Sequence, residues 1–344
     1  MLPRERVEAA LAFRTPDRIP LQLFPSPAGL HEHGRKLLEL ARECGSDFAD
    51  MGLLELPDPP PASDFDPDGR YHAIRTDEWG TTWEHRIYGI WGHPTAWPLG
   101  DWSALDRWHA PAAPPVEGPA FQAAKAAADR HRATWFLSEG IGDLFERLRA
   151  VRRFEDMLVD IQECGPEINR AADIILGYDA ALARRALALG ADMAAFGDDL
   201  GTTNAMMISP QTFRRFLKER YRSLFAPVVR AGRHVLFHCC GRFEPVMEDL
   251  REVGVEAIWP QLPLYDHREL ARRCRDLGFA VMLHPDRGGL MQHGSPRSIR
   301  DYVLRLVEEF DTAHGGSWLY LEIDPGFPWE NVEALFGAAM ELRR

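Results

Sequence analysis

Residues 234–241 read HVLFHCCG, a short apolar run that ends in an imidazole, two thiols and a glycine. On a strand, side chains at i and i+2 share a face, so His238 and Cys240 point one way and Cys239 the other. An imidazole nitrogen and a thiolate that converge make half of a tetrahedral zinc site, and the glycine that follows lets the chain turn closely around an ion. Two other readings compete. A histidine and a cysteine also occur simply packed in a core, and a vicinal Cys239–Cys240 disulfide is conceivable but strained and ill suited to a reducing compartment.

Polar endings of this kind recur along the chain. Apolar runs terminate in Ser138 and Glu139, in Asp198 and Asp199, in Gln261, in His284, Asp286 and Arg287, and in Glu322 and Asp324. Burying so many ionisable groups without a task costs stability, so their concentration at run ends marks a site. Asp198 and Asp199 are candidates to orient neighbouring groups or accept a proton; their structural alternative is capping before Ser209 or pairing with Arg214 or Arg215. His284 and Arg287 would hold an anionic part of a substrate or cofactor. Alternatively, Arg287 pairs with Asp286 and His284 donates to a carbonyl.

These residues must be positioned by the runs that carry them, which are residues 19–24, 47–54, 133–140, 192–199, 234–241, 255–263, 280–286 and 318–324. Each is short, and each is followed by a longer stretch of helical period. After Ser209, for example, Pro210 suits a first helical position and apolar residues recur at threes and fours. Eight strand–helix units predict a single closed (β/α)8 TIM barrel over residues 1–344, an α/β fold whose chemistry lies at the carboxyl ends of its strands. No Gly-rich dinucleotide fingerprint or Walker-type loop follows any run, which weakens an open doubly wound sheet. One excursion, residues 55–117, interrupts the pattern between strands 2 and 3. It opens with PDPPPASDFDPDG, continues with hairpin-like alternation, and holds six of the ten tryptophans together with His72, His85, His93 and His109. Those aromatics either form a satellite core or line a lid over the barrel mouth.

Composition narrows the function classes. The 344 residues include 40 basic and 52 acidic side chains, for a net charge of -12, with no basic run, which argues against a nucleic-acid or anionic-membrane surface. Five cysteines without regular spacing suit a reducing compartment. No apolar run reaches membrane-spanning length, and the start, MLPRERVEAALAFRTPDR, reads as a charged amphipathic helix rather than an export signal; both predict a cytoplasmic protein.

The segments GDDLGTTNAMMISPQTFRRFLKERYRSLF (197–225), HCCGRFEPVMEDLREVGVEAI (238–258) and PWENVEALFGAAMEL, with the opening RERVEAALAFRTPDRIPL, resemble the uroporphyrinogen decarboxylase superfamily over nearly the whole chain. The resemblance implies a (β/α)8 barrel, and suggests a homodimer. Its decarboxylase branch binds a polycarboxylate tetrapyrrole through an arginine-bearing segment after the first strand. Here that segment is LFPSPAGLHEHGRK, with no arginine before Arg35, although Asp47 and Asp50 remain at the expected second strand. Its corrinoid-linked methyltransferase branch holds zinc with an H-x-C motif followed by glycine, which His238 and Cys240 match, and with a later cysteine near the last strand, which that region of this chain lacks. The closing SWLYLEIDPGFPWEN offers carboxylates instead, and a related methionine synthase barrel includes a carboxylate among its zinc ligands, so the resemblance implies Glu322 as third ligand.

The implied function is a zinc-dependent methyltransferase that moves a methyl group between a small molecule, either a thiol or a methoxy compound, and a corrinoid. The chain contains no D-x-H-x-x-G signature, so the corrinoid would arrive on a separate protein. The alternatives are a metal-free decarboxylase or lyase of a small acid, with Asp198 or Asp199 carrying the proton, and a non-catalytic ligand-binding barrel.

Overall fold

The computed structural model describes residues 1–343. Seven of the eight expected runs form strands: β1 (Leu21–Pro25), β5 (Ser138–Gly140), β6 (Met193–Gly197), β7 (His234–Cys239), β8 (Ala257–Pro260), β9 (Ala280–Leu283) and β10 (Ser317–Ile323). β6, β7, β8, β9 and β10 are rich in apolar residues, most of them buried, as a parallel sheet sheathed by helices requires, whereas the short β5 (SEG) is polar and only partly buried. All neighbours pair in parallel, in the order β1-β10-β9-β8-β7-β6-β5, so the sheet curls into a barrel with one gap between β1 and β5.

The run 47–54 is not a strand, contrary to expectation. Asp50 accepts from the Gly52 N–H and starts a 3-10 turn over Met51–Leu53, which ends any extended path. Before that turn, Asp47 spans the gap: its N–H donates to the Leu21 carbonyl (2.8 Å), its carbonyl accepts from Phe136 N–H (3.1 Å), and its carboxylate accepts from Leu21 N–H (2.8 Å). Arg6 and Arg343 pair with the same carboxylate at 2.5 and 3.0 Å, so a fully buried charge is paired twice. Asp47 thus serves the barrel floor and is not a cavity residue.

Helices cover the outside. Ser209 caps Pro210–Phe216 by accepting from Thr212 N–H, and a break at Leu217 separates it from Lys218–Arg230. The longest, Pro166–Leu189, lies against Lys218–Arg230 and β5. Among the described residues no helix is long and apolar enough to cross a membrane.

Within residues 55–117 a small antiparallel sheet forms from β2 (Ala73–Thr76), β3 (Thr82–His85) and β4 (His93–Ala96). Its tryptophans divide. Trp79 is buried edge-on to Tyr178 and accepts at its carbonyl from the Trp108 indole, whereas Trp83 and Trp91 face a cavity at the barrel mouth. His72, His85 and His109 bond within the excursion itself.

Candidate metal centre and substrate cavity

β7 carries His238 and delivers Cys240 just beyond its last residue. Parity holds here. Cys239 turns into the apolar layer beneath the helices, where its sulfur accepts from Leu200 N–H, while His238 and Cys240 face the mouth. The turn after Cys240 needs glycine: Gly241 has φ +75°, and a Cβ there would lie 2.1 Å from the Gly201 carbonyl oxygen.

His238 Nδ1 donates to the Trp259 carbonyl (2.9 Å) and the two rings lie 4.0 Å apart, which fixes the tautomer with the Nε2 lone pair toward the mouth. Cys240 Sγ lies 3.4 Å from that Nε2, and Asp199 Oδ1 lies 3.7 Å from it. The Cys240 N–H also donates to Asp199 Oδ1 (2.7 Å), tying the end of β6 to the end of β7. One donor atom from each of Asp199, His238 and Cys240 falls within 4.8 Å of the others. A tetrahedral zinc with N, O and S ligands has ligand–ligand edges of about 3.4–3.6 Å, so this donor set fits the ion. Burial lowers the His238 pKa against the pull of Asp199, leaving a neutral imidazole. Burial, with Asp199 adding to it, pushes the Cys240 thiol up to about 12, so only a cation would draw out its thiolate.

Glu322 does not join this group. Its carboxylate, on β10 with β8 and β9 between it and β7, pairs with Arg287 (3.0 Å) and approaches His284 Nε2 at 3.7 Å. Burial raises Glu322 to about 7 against the pull of Arg287. Arg287 bridges Glu322 and Asp324, each at 3.0 Å, instead of pairing with Asp286. Asp286 accepts from the Gly288, Gly289 and Leu290 N–H groups and holds the loop. His284 stands edge-on to Trp259 and Tyr320, held well below its ordinary pKa by burial and then by Arg287, and its Nε2 has no hydrogen-bond partner.

Asp198 is withdrawn from the cavity, which corrects its reading as a proton carrier. Fully buried, it accepts from Leu144 N–H (3.3 Å), Glu146 N–H (3.0 Å) and the Tyr221 hydroxyl (2.5 Å). It therefore caps the helix Phe145–Val151. Neither expected arginine partner is involved, since Arg214 pairs with Asp249 and Arg215 donates to the Ile161 and Gln162 carbonyls.

Three compartments meet at His238. The first, of about 430 Å³, is lined by Cys240, Trp259, His284, Arg287 and Asp324, and by Ile87 and Ile90 of the excursion. The second, of about 330 Å³, is bounded by Trp83, Trp91, Glu146, Arg147, Arg149 and Asp199. A third, of about 310 Å³, extends into the barrel past Ser138, Gln22 and Tyr320. The sequence reading did not single out Glu146, Arg149 or Trp259. The acidic residue in the first turn after the GIGDL loop was the available signal for Glu146.

A parallel barrel with thiol, imidazole and carboxylate gathered at its strand ends defines an enzyme-type centre fit for a metal. The uroporphyrinogen decarboxylase family model matches residues 147–342, more than half of the chain, and the protein belongs to that family. No curated protein matches the chain by sequence. Among solved structures it is similar to a methyltransferase from Methanosarcina mazei, at 16% identity and a TM-score of 0.63, covering 100% of both chains, which is a likeness of fold. A dihydropteroate synthase from Xanthomonas albilineans (16% identity, TM-score 0.33, 46% of this chain and 58% of the other) and one from Stenotrophomonas maltophilia (14%, 0.36, 58% and 64%) are too distant to inform the site.

Proposed function

We propose that the protein is a zinc-dependent methyltransferase that moves a methyl group between a small thiol or methoxy compound and a corrinoid carried on a separate protein. The observation that carries this reading is the convergence of His238 Nε2, Cys240 Sγ and the Asp199 carboxylate within 4.8 Å at adjacent strand ends. Family membership and the full-length likeness in fold to a methyltransferase support it.

Asp199, His238 and Cys240 would hold the zinc, which would supply Lewis acidity toward a substrate oxygen or sulfur. The chain's own groups do the rest. Trp259 holds the imidazole in its ligating tautomer, and Asp199 fixes the backbone of Cys240 while offering an oxygen to the same centre. Across the first compartment, His284 presents an unpaired ring nitrogen and Arg287 a guanidinium shared between Glu322 and Asp324, which together orient a polar substrate. Residues 55–117 act as a lid: Ile87 and Ile90 close the first compartment, and Trp83 and Trp91 close the second.

Metal analysis of freshly purified protein tests the reading. About one zinc per chain, lost in His238→Ala and Cys240→Ser, is expected. Protein that refuses zinc, or variants that retain it, would overturn it. An anaerobic assay with candidate corrinoid carriers then identifies the methyl donor and acceptor.

A further inference from the structure

The second compartment holds a group that the scheme above leaves unused. Glu146 stands in the first turn of the helix Phe145–Val151, its backbone pinned because its N–H donates to Asp198. One carboxyl oxygen lies 3.0 Å from Arg149, while the other is buried with no hydrogen-bond partner. Asp199 and His238 line the same compartment, and the indoles of Trp83 and Trp91 form its other wall. A buried carboxyl oxygen left unpaired beside a reaction centre is costly unless a substrate completes it.

We propose that Glu146 is the proton donor to the leaving oxygen of a methyl ether bound in this second compartment, with the alkyl or aryl part of the ether against Trp83 and Trp91. This rests on the methyl-transfer reading and deepens it by selecting oxygen over sulfur as the leaving atom. A departing thiolate is a weak base and is stable unprotonated, whereas an alkoxide or simple phenoxide is strongly basic and leaves far faster with a proton delivered. In the step, the methyl carbon–oxygen bond breaks as a bond forms from that carbon to the accepting nucleophile, which in the proposed function is the reduced corrinoid. The electron pair of the broken bond stays on oxygen, which takes the Glu146 proton to give a neutral alcohol or phenol. The carboxylate that remains is neutralised by Arg149. Burial, the largest influence, raises the Glu146 carboxyl above its ordinary range against the pull of Arg149, which agrees with the unpaired oxygen seen in the geometry. The other nearby cation, Arg147, is engaged with Trp79, Asp77 and Asp143.

Two measurements on the full-length protein test this. The first is an infrared difference spectrum, wild type minus Glu146→Gln at neutral pH, which is expected to contain the carbonyl stretch of a protonated carboxyl. Only carboxylate bands in that difference would overturn the proposal. The second is methyl transfer from a series of aryl and alkyl methyl ethers that differ in leaving-group basicity. Glu146→Gln, with zinc content equal to wild type, is expected to lose about 100-fold or more on the most basic leaving groups and under about threefold on nitroaryl methyl ethers, in the range general acids contribute. Glu146→Asp, which keeps an acid one methylene short, is expected to lose less than the Gln variant on the basic ethers. A uniform loss across the series, with wild-type transfer intact, overturns the proton donor alone. Absence of transfer by the wild type overturns the methyl-transfer reading with it.

Discussion

The third ligand separates two arrangements that differ by a single carboxylate, and the structure favours Asp199 over Glu322. The perturbations are Asp199→Asn and Glu322→Gln, each isosteric. In the first, the amide oxygen of the new side chain still accepts from the Cys240 N–H now bonded at 2.7 Å, so the strand ends stay joined while an anionic ligand is lost. Structural zinc sites with four ligands bind with about 10–16 kcal/mol, which assigns roughly 2.5–4 kcal/mol to each ligand. At 1.4 kcal/mol per tenfold, Asp199→Asn is expected to weaken zinc binding by about 10²–10³-fold. Glu322 would have to abandon Arg287, 3.0 Å away, and reach past β9 and β8 to ligate the same ion. Glu322→Gln is therefore expected to change zinc affinity by less than about threefold, while altering substrate binding through the freed Arg287. Competition against a chromophoric chelator gives both constants, and calorimetry in buffers of different ionisation enthalpy should register proton release from the Cys240 thiol on zinc uptake. Retention of tight zinc binding by Asp199→Asn, or its loss in Glu322→Gln, refutes the assignment.

Three further outcomes follow from particular contacts. His234, at the start of β7, is sandwiched between Glu256 (2.5 Å) and Glu8 (3.1 Å), which outweigh burial and raise its pKa to about 9. Because the folded value lies above the unfolded one, this stabilisation is fully present below about pH 6.5 and lost as pH rises through about 9, at most about 3 kcal/mol; denaturant titrations of wild type and His234→Gln should converge at high pH, and parallel curves would dismiss the linkage. Gly241→Ala must adopt φ +75° and place a methyl 2.1 Å from the Gly201 carbonyl oxygen, so a loss of about 2–5 kcal/mol with weakened zinc binding is expected in unfolding and metal assays. Asp198→Asn sets an amide against three donors, and calorimetry should show a destabilisation of about 2–4 kcal/mol while zinc content is retained.

Seven strands were legible because each pairs β-branched or aromatic residues with a polar ending, a pattern that a buried parallel strand must have. The eighth run, DFADMGLL, has similar hydropathy but different chemistry: Asp47 is a charge hub for Arg6 and Arg343, and Asp50 starts a turn. Single-sequence periodicity carries no sign of either partner, which lie 41 and 296 residues away. His238 and Cys240 were legible because they are two apart on one strand, so parity alone sets them side by side. The carboxylate was not. Asp199 becomes identifiable only from the β6–β7 register, which pairs Gly197 with His238 and so brings Asp199 level with Cys240. The same parity sends Asp198 outward beneath Tyr221, a fact that the sequence GDDL expresses without revealing which aspartate is which.

The charge around the first compartment bears on the competing branch of the family. A polycarboxylate substrate needs several cations directed at it, and among the described residues lining this compartment Arg287 is the one permanently charged cation. It is already divided between Glu322 and Asp324 at 3.0 Å each, and Asp286 stands beside it. The two histidines present are neutral, both held down chiefly by burial. Arginine at the first strand's end, where such a substrate would be gripped, is replaced by a turn in which Ser26 caps Pro27–His33, and Asp47 is locked in the floor. An incoming polyanion would meet a wall whose fixed charge is net negative, whereas a neutral ether or a single thiol meets a donor set short of one cation. The electrostatics of this compartment therefore oppose a polyanionic substrate.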